Sequence, residues 1–292
     1  MSIPNEIKRS YKTGAIYTKL IYINVAFFFA IFVLTFFFPV DIWLSVPGSF
    51  KALLFKPWSP ITYMFVHGGF FHILSNILWL FWFGQIFMEY LNKKQLLGVY
   101  LIAGLFGAFL HLLVNKLTGN LSGLIGASAA VMGIVFAVAA YKPDRTLYLV
   151  FIGPVKLKYI ALVAVVIDVM GILSQLKGIT DGIGHFAHLG GALFGLWFGF
   201  EIKKGNDITA WLNSVLDFFV TFFKPRRNEM KVSYKNFVKT NPKNTNPHSD
   251  AVHNVEQSDD QEDLNRILDK ISKSGYDSLS KEDKEYLFKR KK

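Results

Sequence analysis

Six apolar stretches of 16 to 22 residues, each a candidate for crossing a lipid bilayer, constrain the fold of this chain more than any other feature. A helix needs about 20 mainly apolar residues to cross a hydrocarbon core about 30 Å thick. The stretches are Leu20–Phe38, Phe70–Leu91, Gln95–Val114, Gly126–Tyr141, Leu157–Leu173 and His185–Ile202. They predict an all-α membrane protein in which six transmembrane helices form a bundle, followed by a polar C-terminal tail.

The distribution of lysine and arginine predicts the orientation of the bundle. Basic residues precede the first span and follow the second, fourth and sixth spans, at Lys8, Arg9, Lys12, Lys19, Lys93, Lys94, Lys142, Arg145, Lys156, Lys158, Lys203 and Lys204. Because such residues concentrate on the cytoplasmic side, we expect a multi-pass protein of the cell inner (plasma) membrane with both termini cytoplasmic. The same distribution explains the net charge of +11, which therefore does not indicate a nucleic-acid partner.

Polarity divides the sequence into four segments. Residues 1–204 form the membrane domain, and the apolar spacing within residues 205–227 predicts an amphipathic helix on the cytoplasmic leaflet. Residues 228–261 are polar and predict a flexible linker. Residues 262–292 predict a short helical module in which Gly275 ends one helix and Ser280 caps the next. The tail either keeps the protein soluble or binds a cytoplasmic partner.

Three polar positions begin spans that all start on the outer side. His72 lies at the start of the second span, Ser128 at the start of the fourth and His188 at the start of the sixth. With a rise of 1.5 Å per residue, these side chains lie at a similar depth near the outer surface. The sequence therefore predicts that they are neighbours.

Small residues predict which helices approach closely. The sixth span carries a stripe of Gly191, Gly195 and Gly199, and the fourth span carries Gly126, Ala130 and Gly133. Small residues let membrane helices pack with their backbones close together, which would bring His188 to Ser128. An imidazole beside a serine takes the hydroxyl proton and later returns it to a leaving amine.

A nucleophilic serine also needs donors for the developing oxyanion. His72 and Asn76 share one face of the second span, and the helix start at Ser128 offers backbone N–H groups. Each group has a structural alternative: Ser128 as helix packing, His72 as an interior donor, and the glycines as packing alone.

Four further polar residues are expected to take no part in the chemistry. We expect His67 and His185 to be structural or surface groups and Glu89 to be a structural hydrogen-bonding group. Asp168 is the one acid well inside an apolar run. We expect it to reach the outer interface rather than to orient His188, so that Asp168→Asn retains most activity.

In order and spacing, the stretch from Pro57 to Gly199 resembles the rhomboid family of intramembrane serine proteases. The motifs are His67, His72 and Asn76, then Gly126-Ala-Ser128, then Ala187-His188 with Gly191 and Gly195. The resemblance implies a rhomboid-like six-helix bundle around a water-filled cavity, and a Ser–His dyad without a carboxylate, cofactor or metal. It implies that Ser128 is the nucleophile and His188 the general base and acid. The oxyanion hole would consist of His72, Asn76 and the Ser128 N–H.

The implied activity is that of a serine endopeptidase cutting single-span membrane proteins near the outer end of their helix. Three residues depart from the family pattern: Ala129 replaces a usual glycine, Met132 a frequent aromatic residue, and Ser59 the arginine of a Trp-Arg pair. Two alternatives are a catalytically silent rhomboid-like protein that binds membrane helices, and a transporter that uses intramembrane histidines. Labelling with a fluorophosphonate separates the protease from both.

Overall fold

The computed structural model describes residues 13–149, 152–179, 181–212, 255–275 and 278–289, and residues 5, 9–11 and 214–215 beside them. The chain divides into two compact units, Met1–Arg227 and Asn228–Lys292.

Helices dominate the first unit. They are α1 (Ile16–Leu34), α2 (Val40–Leu44), α3 (Phe50–Leu53), α4 (Ser59–Thr62), α5 (Phe70–Tyr90), α6 (Lys93–Thr118), α7 (Ser128–Tyr141), α8 (Leu157–Leu176) and α9 (His185–Lys203). The six long helices begin and end within a few residues of the six predicted stretches. By length and composition, α1, α5, α6 and α8 are able to cross a membrane, and α7 is a shorter apolar helix of 14 residues. That all six helices cross stays a prediction.

The expectation of an all-α fold is wrong at one place. Strands β1 (Thr146–Leu149) and β2 (Gly153–Lys156) form an antiparallel hairpin between α7 and α8. Threonine, tyrosine and leucine fit a half-buried pleated strand.

Helix α7 lies at the centre of the bundle and packs closely against α9. Every residue from Ala129 to Ala140 except Met132 is buried, as expected for a helix that is apolar all round. A Cβ added to Gly191 of α9 would lie 1.9 Å from the Ala129 carbonyl oxygen, and one on Gly195 would lie 2.2 Å from the Gly133 carbonyl oxygen. The predicted packing of the glycine stripe on the fourth span is confirmed.

The additional methyl group of Ala129 is accommodated by a glycine in α6. A Cβ on Gly107 would lie 2.5 Å from the Ala129 Cβ, so the absence of a side chain at Gly107 provides the space. The departure from the family glycine at this position is therefore matched on the neighbouring helix.

After α9, the chain returns to the start of α6. Asp207 accepts a hydrogen bond of 3.1 Å from the Gln95 amide. Thr209 is fully buried against Gly98, where a Cβ would lie 2.6 Å from the Thr209 Cβ. The start of the predicted amphipathic helix is thus attached to the bundle, while residues 213 and 216–227 lie outside the described residues.

The second unit contains α10 (Val255–Ser274) and α11 (Lys281–Lys289). Gly275 follows α10 with φ +78°, and the Ser280 hydroxyl accepts a hydrogen bond of 3.1 Å from the Asp283 N–H. The predicted helix end and cap are confirmed. Helix α10 begins inside the segment predicted as a linker, and residues 228–254 lie outside the described part of the chain.

We expect the tail to be separable from the bundle only beyond residue 227. Truncation after Arg227 should leave thermal stability and cleavage in detergent nearly unchanged. Truncation after Lys204 should lower the free energy of unfolding by about 2 kcal/mol, because buried polar groups at the start of α6 lose their partners. Thermal unfolding of both truncations measures this, with Asp207→Ala in the full chain as the matched point variant. Equal stability of the two truncations would contradict the attachment.

Candidate active site

Ser128 is the first residue of α7, and the loop before it is held on both sides. Val46 and Leu124 exchange two backbone hydrogen bonds of 3.0 Å, and the Gly126 N–H donates to the Tyr63 carbonyl oxygen at 2.9 Å. Gly126 has φ +112°, a conformation that strongly favours glycine. These contacts fix the direction in which α7 begins and therefore the direction of the Ser128 side chain.

Two polar residues of α6, which the sequence did not single out, support the same loop. His111 Nε2 lies 3.0 Å from the Ser122 carbonyl oxygen, and the Asn115 amide donates to that oxygen at 2.8 Å and to Gly48 at 3.2 Å. Their spacing of four residues on an apolar helix was the available signal.

Ser128 and His188 meet as predicted. The Ser128 Oγ lies 2.8 Å from His188 Nε2, and both residues are partly buried. The two positions are 60 residues apart in the sequence, and the contact between α7 and α9 brings them together.

Asp168 also contacts His188, which corrects the expectation that it points to the outer interface. The Asp168 Oδ1 lies 2.8 Å from His188 Nδ1, and the Asp168 side chain is 4% exposed. Helix α8 runs antiparallel to α9, so a residue in its C-terminal half reaches the start of α9. The arrangement is a Ser–His–Asp triad rather than a dyad.

This contact fixes the tautomer of His188. An ionised carboxylate only accepts hydrogen bonds, so the hydrogen of a neutral His188 ring lies on Nδ1. The unprotonated Nε2 then accepts from the Ser128 hydroxyl. This is the tautomer in which the imidazole is able to act as a general base.

His185 belongs to the same cluster, so a surface location for it is wrong. Its side chain is 2% exposed, with Nδ1 2.8 Å from Asp168 Oδ1 and Nε2 2.9 Å from Asp181 Oδ2. Asp168, His185 and His188 are side-chain types that also bind metals, and their ligand atoms lie within 4.8 Å of one another. Because their separations of 2.8 Å are those of hydrogen bonds, we interpret the cluster as a hydrogen-bonded network.

His72 faces Ser128 across Gly126. The Gly68 N–H donates to His72 Nδ1 at 3.3 Å, so the ring hydrogen lies on Nε2. A Cβ on Gly126 would lie 2.6 Å from His72 Nε2 and 3.6 Å from Ser128 Oγ, so both side chains border the same small gap. The geometry directs an N–H donor to the space beside the nucleophile.

Asn76 lies one turn further along α5. Its amide donates to the His72 carbonyl oxygen at 2.7 Å, which uses one of its two hydrogens, and its side chain lines the same cavity as Ser128. His67 packs edge-on against the His72 ring at 5.2 Å between ring centroids. Burial, and secondly the adjacent His72, lower the pKa of His67 to about 4, so this ring is neutral and acts as packing for His72.

A cavity of about 1910 Å³ opens beside these residues. Ser128, His188 and Asn76 line one end, and Glu89 with Arg145 lines the other. Its long walls are apolar side chains of α5 and α8, among them Trp79, Phe83, Ile160 and Val163. The site therefore borders a cleft between two membrane helices.

The expected structural role of Glu89 is confirmed. Its carboxylate accepts hydrogen bonds of 3.1 and 3.2 Å from Arg145, which precedes β1. This ion pair joins the end of α5 to the hairpin.

Comparison with known proteins decides the family. A model of the Rhomboid domain matches residues 54–204. The chain belongs to the rhomboid family. Its residues 249–289 match a second model, described as a family of unknown function (DUF6576).

Named relatives match about half of this rhomboid's length. The mitochondrial presenilin-associated rhomboid-like proteins of Bos taurus and Mus musculus are 32% and 34% identical over 151 residues, 51% of this chain and 38% of each relative. Rhomboid protease GlpG of Klebsiella pneumoniae is 29% identical over 163 residues, 56% of this chain and 54% of the relative. The chain thus spans between about two fifths and about half of the length of these relatives.

Contrary to the expectation from sequence alone, we predict that Asp168→Asn lowers turnover strongly. The introduced amide is able to donate to His188 Nδ1, which moves the ring hydrogen to Nε2 and removes the base. We expect a loss of roughly 10² or more, up to the about 10⁴-fold loss seen in soluble triads. Cleavage kinetics in detergent measure it, with the exposed Asp144→Asn as the control. Normal turnover of folded Asp168→Asn would show that the carboxylate is dispensable.

For the oxyanion donors, we predict that Asn76→Ala and His72→Ala each lower turnover by about 10²–10³-fold, the usual effect of losing one donor. Substrate affinity should change little, because these bonds strengthen only in the transition state. Leu74→Ala, on the same turn of α5, serves as the control. If both variants cleave at the normal rate, the oxyanion is bound elsewhere.

Proposed function

We propose that this rhomboid is an intramembrane serine endopeptidase that cuts single-span membrane proteins near the outer end of their transmembrane helix. The observation that carries the proposal is the 2.8 Å contact between Ser128 and His188 Nε2 at the wall of a cleft between α5 and α8. The family supports it, since one relative is named a rhomboid protease.

The chemistry follows from the geometry. Ser128 Oγ attacks the scissile carbonyl carbon while its proton passes to His188 Nε2. The resulting imidazolium is stabilised by Asp168, which accepts from Nδ1. The tetrahedral oxyanion receives hydrogen bonds from the Ser128 N–H, from the His72 Nε2–H and from the second amide hydrogen of Asn76.

His188 then gives the proton to the leaving amine, so the peptide C–N bond breaks and an ester to Ser128 remains. A water molecule, deprotonated by His188, attacks this ester. Its collapse releases the new carboxyl terminus and returns the proton to Ser128.

The shape and lining of the cleft support a membrane-embedded substrate. The apolar side chains of Trp82 on α5 and Ile167 on α8 are 51% and 59% exposed. Such exposure is expected of a surface that faces lipid or a substrate helix. A helix entering there reaches Ser128 only where its backbone unwinds, since all its carbonyl groups are otherwise hydrogen bonded. Small or helix-weakening residues near the cleavage site satisfy this requirement.

The silent binder and the transporter remain alternatives to this proposal. A catalytically silent binder would not need the hydrogen bonds that join Ser128 to His188 and His188 to Asp168. A transporter requires ionisable groups along a path through the membrane, whereas the long walls of the cleft carry apolar side chains such as Phe83 and Val163. The prediction of the plasma membrane rests on the basic residues alone, and the mammalian relatives are named mitochondrial.

Fluorophosphonate labelling tests the proposal. Because His188 activates Ser128, we expect wild-type protein to be labelled, Ser128→Ala to lose labelling completely and His188→Ala to lose most of it. Ser174→Ala is the matched control, because its hydroxyl donates to the Met170 carbonyl oxygen within its own helix. Cleavage of a single-span model substrate should follow the labelling and be insensitive to chelators. Equal labelling of wild type and Ser128→Ala would exclude the assignment.

A further inference from the structure

We propose that His185 is a positioning residue of this site, held as an imidazolium between Asp168 and Asp181, which keeps Asp168 ionised and directed at His188. The proposal rests on the proposed protease function. It extends the triad to a chain of five groups, Asp181, His185, Asp168, His188 and Ser128, which runs from the loop before α9 to the nucleophile.

Each ring nitrogen of His185 lies beside a carboxylate oxygen. Nδ1 lies 2.8 Å from Asp168 Oδ1, and Nε2 lies 2.9 Å from Asp181 Oδ2. A neutral imidazole has one donor and one acceptor, and an ionised carboxylate only accepts. With both acids ionised, both contacts are hydrogen bonds only if both ring nitrogens donate. His185 therefore carries a positive charge between two carboxylates.

The buried carboxylate of Asp168 requires a neighbouring positive charge. Its side chain is 4% exposed, and a buried carboxylate requires an opposite charge or several donors. His188 is unable to supply that charge in the resting state, because a general base must be neutral. His185, whose side chain is 2% exposed, supplies it, so Asp168 stays ionised while His188 stays neutral.

His185 also orients the carboxylate of Asp168. The same oxygen, Asp168 Oδ1, accepts from Nδ1 of both histidines at 2.8 Å. The bond from His185 therefore fixes the carboxylate rotation that the bond from His188 requires. His185 acts on the reaction through Asp168 and does not touch the reacting atoms.

The surroundings of His185 are shaped for the ring. A Cβ on Gly171 of α8 would lie 2.0 Å from His185 Nε2, so the ring lies directly on the helix backbone where a side chain is absent. Asp181 is held by the Ile183 N–H, which donates to its Oδ1 at 2.9 Å. Gln175 donates to the Ile183 carbonyl oxygen at 2.9 Å and ties this loop to α8.

The charges that face His185 come from each element packed against it. They are Asp168 on α8, Asp181 in the loop, and His188 on its own helix, with ring centroids 6.0 Å apart. Partial burial raises the pKa of Asp181, but hydrogen bonds from Ile183 and His185 outweigh this and hold the pKa below its ordinary value. Asp181 therefore stays ionised throughout the pH range in which His188 acts as a base.

Activity is expected to depend on the positive charge of His185. His185 loses its proton as the pH rises, and activity falls with it, which gives the pH profile an alkaline limb. Removing the charge of Asp181 makes His185 easier to deprotonate. The alkaline limb should then move to lower pH by about one unit, the lower end of the shift that one neighbouring opposite charge produces.

The test compares Asp181→Asn, His185→Gln and Gly171→Ala with Asp144→Asn, an exposed acid in the turn between α7 and β1, in the full chain with chelator present. We expect Asp181→Asn to shift the alkaline limb of kcat with KM unchanged. His185→Gln and Gly171→Ala should lower kcat roughly tenfold or more at every pH. Superimposable profiles of wild type and Asp181→Asn would overturn the proposal, and this variant on a half-exposed loop residue remains informative if the others fail to fold.

A spectroscopic measurement separates this proposal from the protease assignment. The ¹⁵N shifts of the His185 ring in histidine-labelled protein, assigned by loss of the signal in His185→Gln, report its protonation whether or not the protein cleaves anything. We expect an imidazolium at pH 7 in wild type. A neutral ring would overturn the proposal even in an active protease. An imidazolium in a protein that neither labels nor cleaves would refute the proposed function, and with it the positioning role.

Discussion

The close contact between the backbones of α7 and α9 is the interaction on which the site depends. Gly191 and Gly195 lie directly against carbonyl oxygens of α7, at a separation that no side chain allows. Inside a bilayer, helix association relies on close packing, because lipid tails are as apolar as the side chains that face them. The same contact sets the distance between Ser128 and His188, so packing and chemistry are fixed by one feature.

Burial of charge is the second constraint. Within the described residues, Asp168 is the only buried acid of the helical bundle, and it accepts from two histidines at once. An ionised carboxylate at this depth is costly unless it is paired. The cluster therefore combines a structural requirement, neutralising the acid, with a chemical one, orienting His188. This arrangement differs from the dyad that the family resemblance implied.

Each of the three departures from the family pattern has local contacts that accommodate it. Ala129 is matched by Gly107 on α6, and Met132 lines the cavity together with Ser128 and His188. Trp58 stacks on Trp43 and donates to its carbonyl oxygen at 3.0 Å, so this tryptophan fastens the segment between α1 and α5. Ser59 stands where the family pattern has an arginine, and its buried hydroxyl donates to the Lys56 carbonyl oxygen.

The sequence by itself determined the helices, their ends and the meeting of Ser128 with His188, because apolar length, glycine spacing and helix direction are local or periodic properties. It also identified the end of α10 at Gly275 and the cap at Ser280. Tertiary structure decided the role of Asp168 and His185. Their partners lie on separate elements, and an acid near a helix end fits both an interface and an interior location. Only the antiparallel placement of α8 beside α9, with Gly171 leaving room for a ring, turned that acid inward.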